Sequence, residues 1–227
     1  MVPAIFEMNT LIFRKSLIAL TGLFLCLFLI VHLSANLILL LPEYLSQGMY
    51  NAYSTFLREN PLVAVIAYLL YASILLHVIY TAIVTIRNRK SRPQKYEMNK
   101  PAANSSWASQ NMGWLGILIL LFIVIHLVNF WSRIKLGLGE PVALDVDGNL
   151  DVYSVTYALF QNPYYAAFYA VTAVPLGFHL HHGLKSAFKS LGFHSVKGLN
   201  ILSKVAMAYA VIMTIGFALI PIIVYLR

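Results

Sequence analysis

Four single histidines lie one each in four successive apolar stretches: His32, His77, His126 and His179, the last with His181 and His182 beside it. Their neighbours are Leu, Ile, Val and Phe, which offer an imidazole no partner. An ionisable side chain at membrane depth is costly and by default marks a functional site. Imidazole is also the commonest protein ligand for metals, and four of them on four helices supply two pairs of axial ligands. The chemistry this points to is two haem groups, each held by two histidines. There is no Cys-x-x-Cys-His motif and Cys26 is the only cysteine. The haems are therefore expected to be noncovalent, as haem b, and no intrachain disulfide is available.

The elements that must position these histidines are legible in the composition. The chain has 227 residues, 60% hydrophobic and 11% charged, which is not the balance of a soluble domain. Stretches without Asp, Glu, Lys or Arg cover 16–42, 61–86, 101–132, 152–184 and 205–226. About 20 apolar residues cross the hydrocarbon core as a helix, and a helix satisfies its own backbone there. The expectation is all-α: one domain over 1–227, a five-helix transmembrane bundle with helices over about 14–41, 61–87, 109–133, 163–189 and 203–226. Pro42 stops the first helix, while Pro61 and Asn162-Pro163 suit helix starts. Val152–Gln161 is expected as a short interfacial piece. The first span is too long for a signal-peptide core.

Between the third and fourth spans, 142–152 alternates apolar and polar residues around Gly148-Asn149, a hairpin signal. Its aspartates do not make a calcium loop, because Gly148 directly follows Asp147 and no glutamate closes the loop. Trp107, Trp114, Trp131, Tyr44, Tyr50, Tyr53, Tyr153 and Tyr164 fall near span ends, as in the aromatic belts of membrane proteins.

The net charge is +8, and its distribution decides its meaning. Of the 16 Lys and Arg, Arg14, Lys15, Arg87, Arg89, Lys90, Arg92, Lys95, Lys100, Lys185, Lys189, Lys197 and Lys204 fall on one side of the expected bundle. Arg58, Arg133, Lys135 and Arg227 fall on the other, with six of the eight acids. Positive charge favours the cytoplasmic side, which places the N-terminus inside and the C-terminus outside, in the cell's inner (cytoplasmic) membrane. The basic excess reads as topology rather than a nucleic-acid surface, with the segment 87–100 as a candidate strip for docking a partner.

Depth sorts the histidines. At about 1.5 Å per residue, His126 lies roughly 10 Å from Arg133 and His32 roughly 15 Å from Pro42, both in the outer half. His77 lies roughly 15 Å from Arg87 and His179 roughly 9 Å from Lys185, both in the inner half. Ligands to one iron must share a depth, so His32 pairs with His126 and His77 with His179. On the fourth helix His182 shares the face of His179 and stays open as its alternative, while His181 faces elsewhere. Gly183, one turn on, leaves room for a porphyrin against the backbone. Four ligands split between two depths cannot converge on one zinc ion, and hydrogen-bonded histidines in a non-haem membrane anchor would not need matched depths. Two histidines per iron leave no open position, so such a haem carries electrons.

Three motifs carry a resemblance: Ala19-Leu-Thr-Gly-Leu-Phe-Leu before His32-Leu-Ser-Ala-Asn36; Asn111-Met-Gly leading to Ile-Val-Ile-His126-Leu; and Phe178-His179-Leu-His-His-Gly183-Leu-Lys-Ser-Ala-Phe with Leu191-Gly192. Over essentially its whole length, with one ligand in each of the first four helices, the chain resembles the di-haem cytochrome b membrane anchors of succinate dehydrogenases and fumarate reductases. In that family the fourth-helix ligand opens a His-x-x-x-Gly pattern, which implies His179. The resemblance also implies a flavoprotein and an iron–sulfur subunit on the cytoplasmic side, and a quinone in the membrane lipid as substrate. Two-haem members are associated with menaquinone.

Quinone chemistry exchanges protons, so Glu43 and Glu59, flanking the first outer connection, are candidates to carry them. Asn36 and Asn129, near His32 and His126, are candidates to bind quinone or orient haem surroundings. Ser16, Lys185 and Lys189 are candidate propionate partners on the inner side. The nearest rival, the di-haem quinone anchor of nitrate reductase, places its four ligands on two helices; here the fifth span has no histidine.

Overall fold

The computed structural model describes residues 4–90, 106–193 and 195–227. The basic segment expected as a docking strip falls largely outside the described residues. The chain is helical almost throughout. α1 (Ala4–Asn36) runs into a 3-10 turn, Leu37–Leu40, and Pro42 then opens α2 (Glu43–Glu59) and α3 (Pro61–Lys90) follows. α4 (Trp107–His126) continues through a π-helical segment, Leu127–Trp131, into α5 (Ser132–Leu136). α6 (Val152–Phe160), α7 (Pro163–Ser190) and α8 (Val196–Tyr225) complete the chain.

Side-chain caps fix several starts. Ser106 accepts from the Ser109 amide, Asp151 from the Ser154 amide and Ser195 from the Gly198 amide. Asn162 accepts from the Tyr164 and Tyr165 amides, with Pro163 at the first helical position. A cap of this kind satisfies amides that the helix itself leaves orphaned. The residues Glu43–Glu59, read in the sequence as a connection, form a 17-residue helix instead. Its apolar residues were too few to register as a span. The hairpin signal is realised only as an isolated bridge between Leu144 and Leu150 around Gly148, which has φ +79°. Among the described residues there is no named strand.

Four stretches are long and apolar enough to cross a membrane: Ile12–Leu40, Pro61–Asn88, Trp107–Leu136 and Val196–Tyr225. Along α3, none of the side chains over 61–88 is buried, although most are apolar. A helix apolar on all faces, packed against the protein along part of its surface and exposed along the rest, suits lipid. α7 is as long, at 28 residues, but His179, His181, His182, Lys185 and Lys189 make it less apolar. It is also the central helix, packed against α8, α1 and α4, so protein rather than lipid covers most of it.

The core lies between α1, α6, α7 and α8, around Leu33, Tyr153, Phe160, Leu180, Met213 and Val224. Two glycines permit its closest approaches. A Cβ at Gly177 would run into the Thr214 hydroxyl of α8, and one at Gly216 would lie 2.8 Å from Leu33 Cδ1 of α1. Small residues allow such contact where helices pack in lipid. At the chain's end Arg227 donates to the carbonyls of Leu39, Leu40 and Leu41, tying α8 to the end of α1. Gly177→Val is expected to cost about 1–3 kcal/mol or more through overpacking, read as a lowered Tm in detergent. Gly48→Ala in α2, with nothing within 4 Å of the added carbon, is the control and should not lower Tm.

Candidate functional site

α1 packs on α3 and α7, and α7 packs on α4, whereas α1–α4 and α3–α7 are not among the closely packed pairs. The four helices thus pack in the order α3, α1, α7, α4, and each of those two pairs is separated by one intervening helix. The histidines meet across these intervening helices. His32 of α1 faces His126 of α4 with ring centroids 5.7 Å apart at 87°. His77 of α3 faces His179 of α7 at 6.4 Å and 64°. The first pair lies toward the end capped by α2 and α6, the second toward the lysine-rich end. His179 is the ring beside His77; no ring contact joins His182 to it.

Each pair suits one metal centre between two imidazoles. Bonds of about 2 Å from metal to each nitrogen would set the centroids roughly 6 Å apart. In each pair one ring nitrogen, His126 Nδ1 or His179 Nδ1, is buried with no hydrogen-bond partner, an uncompensated cost in a dry interior. Among the described residues no group of three His, Cys, Asp or Glu side chains is placed to hold an ion. Two imidazoles do not complete a metal's coordination by themselves, so such a pair would fit a group that brings its own donors, as a haem does.

Around His77 the sequence supplies support that its spacing alone did not announce. Thr21 Oγ1 donates to Leu17 O at 2.8 Å, and its oxygen lies 3.2 Å from His77 Nδ1. A hydroxyl has one hydrogen to give, so with that hydrogen on Leu17 O it is placed to accept from an Nδ1–H, the tautomer that would leave Nε2 free as a ligand. Gly22 gives the ring room: a Cβ there would sit 3.1 Å from His77 Cε1, and one at Gly116 4.0 Å from His179 Cε1. Thr21 is a polar residue within an apolar stretch, and that was its available signal.

The pair at the capped end is walled by aromatics. Phe28 stacks on His32 at 5.2 Å and Phe217 lies at 5.9 Å. Phe122, Phe130 and Tyr169 surround His126 at 5.8, 5.2 and 6.1 Å. Asn129, displaced by the π-helical turn, donates to the Tyr169 hydroxyl at 3.0 Å. Trp131 of the same turn donates to the Tyr71 hydroxyl at 2.8 Å, bridging α4 to α3. π-turns occur often at functional sites. Asn36 donates to the His32 carbonyl at 2.8 Å and accepts from the Tyr50 hydroxyl at 3.2 Å. Both asparagines therefore join the surroundings of the capped-end histidines.

Other candidates do not converge. Glu43 and Glu59 are exposed at opposite ends of α2, about 24 Å apart along its axis, and Glu59 lies 3.6 Å from Arg58. They do not form one site. Ser16 and Lys185 are half-buried and Lys189 exposed, and none contacts the histidine pair. Beside Gly183 there is open space.

A polar cap closes the end above His32. Asn51 of α2, fully buried, donates to Asp145 at 3.1 Å and Asp151 at 2.9 Å and accepts from the Tyr153 amide. Gln47 donates to Asp151 at 3.2 Å. Partial burial pushes the Asp151 carboxyl up, but hydrogen bonds from the Ser154 hydroxyl, Asn51, the Ser154 amide and Gln47 outweigh it and hold it below the usual carboxylate range. For Asp145 desolvation again acts upward, and bonds from the Asn149 and Asp147 amides and from Asn51 prevail. Depressed values make the cap's contribution complete above the unfolded carboxylate value and lost as pH falls through the folded one. The cap should therefore stay closed at neutral pH and loosen only below about pH 4. Hydrogen exchange over α2 and 142–152 should accelerate there, and Asn51→Ala should accelerate it already at pH 7.

No family model, no curated protein and no solved structure matches this chain.

Proposed function

We propose that this chain is the di-haem cytochrome b membrane anchor of a succinate:quinone oxidoreductase. The observation that supports it is the meeting of four histidines from four apolar helices as two ring pairs, His32 with His126 and His77 with His179. In this reading α7 crosses the membrane as a fifth, protein-covered helix. The lysine-rich end with the N-terminus is cytoplasmic, and the capped end with the C-terminus is outside.

His32 and His126 hold the outer haem, and His77 and His179 the inner one. A bis-histidine haem, when bound, supplies one-electron transfer with no open position for oxygen. The chain's own residues do the rest. Thr21 holds the Nδ1 proton of His77 and so presents its other nitrogen. Phe28, Phe122, Phe130 and Phe217 keep water from the outer pair, and Asn36 fixes the backbone of His32. Among the described residues there is no glycine-rich nucleotide loop and no cysteine cluster, so dicarboxylate oxidation belongs to a flavoprotein subunit. An iron–sulfur subunit then links that flavoprotein to the cytoplasmic face.

The membrane substrate is a quinone, in this reading menaquinone, handled near the outer face. Protons exchanged there pass to the outer medium, with Glu43 and Glu59 as separate carriers rather than a dyad. The test is purification of the tagged chain from its native membrane. Recovery of a flavoprotein and an iron–sulfur protein, with succinate- or fumarate-linked turnover of a menaquinone analogue, supports the reading. Recovery with a molybdenum-containing nitrate reductase, or with no redox partner, overturns it.

A further inference from the structure

A groove unrelated to the histidine pairs lies on the outside of the bundle. It is lined by Cys26 and Ile30 of α1, Leu184 and Phe188 of α7, and Val205 and Tyr209 of α8, and holds about 350 Å³. At 3.6 residues per turn these positions lie roughly 120–180° round α1 from His32 and round α7 from His179. The groove therefore faces away from both pairs. Tyr209 donates to the Cys26 carbonyl at 2.8 Å, which joins α8 to α1 at the end farthest from the lysines.

Toward the other end the setting becomes cationic. Lys185 and Lys189 follow directly after the lining residues Leu184 and Phe188, and Lys15 lies two turns before the lining residue Leu23 on α1. Lys15 and Lys189 are exposed and Lys185 half-buried. Long lysine stems let the ammonium groups reach along an apolar surface to the interface. The ion pair found among the described residues, Arg58 with Glu59, is at the opposite end of the bundle. Among the residues whose side chains are described, no ion pair involves these lysines.

We propose that this groove is a binding site for one anionic phospholipid, its acyl chain lying between α1, α7 and α8 and its phosphate held by Lys185, Lys189 and Lys15. Apolar lining and cationic mouth together select this occupant. A neutral quinone can accept hydrogen bonds but has no charge to set against three lysines, and a second copy of the chain would bring the same positive charges to meet them. Basic sites between membrane helices take anionic headgroups for this reason. The site does not depend on the histidines holding haem.

Cys26, the only cysteine and only partly buried, is a built-in probe. In nanodiscs of phosphatidylglycerol, its alkylation by N-ethylmaleimide is expected to be at least fivefold slower than in phosphatidylcholine. Native mass spectrometry of the purified protein should show one retained phosphatidylglycerol. Lys185→Gln/Lys189→Gln should abolish the difference in rate, and Val205→Trp, which fills the groove, should abolish the adduct. Equal rates in the two lipids would overturn the proposal. So would protection that scales with protein concentration, the mark of a second copy, or protection by a long-tailed quinone in phosphatidylcholine alone. Should Val205→Trp fail to fold, judged by its helical circular dichroism, the lysine variant decides the question by itself.

Discussion

His32→Ala is expected to lower the haem content of the purified protein from about two per chain to about one, with the remaining haem still low-spin and six-coordinate. The two pairs use four different helices and meet at two levels, so loss of one ligand leaves the other level intact. His126 alone would stand among Phe122, Phe130 and Tyr169; the phenylalanines offer no ligand, and the Tyr169 hydroxyl is engaged by Asn129. The supports of the other level, Thr21 and Gly22, lie about 15 Å along α1 from position 32. His77→Ala should do the reverse and remove the haem near the lysine-rich end. Haem counted by pyridine haemochrome against protein concentration decides it. A variant that loses both haems while keeping its helicity, or loses neither, contradicts independent pairs.

Thr21→Val is expected to have the next largest effect. Valine keeps the shape but removes the oxygen 3.2 Å from His77 Nδ1, which in the proposed function accepts its proton. Partners that orient a ligating histidine are typically worth 10–100-fold in affinity, and that loss is expected for the haem held by His77 and His179. Without the acceptor the imidazole is a poorer donor to the oxidised metal, so the midpoint potential of that haem should rise. Thr21→Ser retains an oxygen and should keep both affinity and potential close to the parent. A redox titration in which Val and Ser behave alike would show that the Thr21 contact does not act on the ligand.

Much of this arrangement was legible because membrane burial is written in long apolar runs, and an imidazole inside one stands out. Depth then needs only a count of residues to an interface. The alternation of spans along the chain put His32 with His126 and His77 with His179, and the rings stand beside each other in those combinations. The choice between His179 and His182 was beyond the helical wheel, since the two share a face; the register between α3 and α7 settles which ring meets His77.

What stayed hidden depends on cross-helix contacts. Nothing local marks Asn51 as a buried hub, because its partners Asp145 and Asp151 are about a hundred residues away. The π-turn after His126 leaves no signature in an apolar run, yet it sets where Asn129 and Trp131 reach. Helix α2 was missed for want of an apolar stripe. α7 falls outside the stretches apolar enough to cross a membrane because His179, His181, His182, Lys185 and Lys189 lower its hydropathy.

The central claim is that four histidines hold two metal centres at two depths. A dithionite-reduced minus oxidised spectrum, quantified by pyridine haemochrome on the purified parent protein, tests it most directly. The expected result is the sharp absorption of six-coordinate haem b at about two per chain. Protein that folds, keeps its helices and binds no haem when haem is supplied would contradict it.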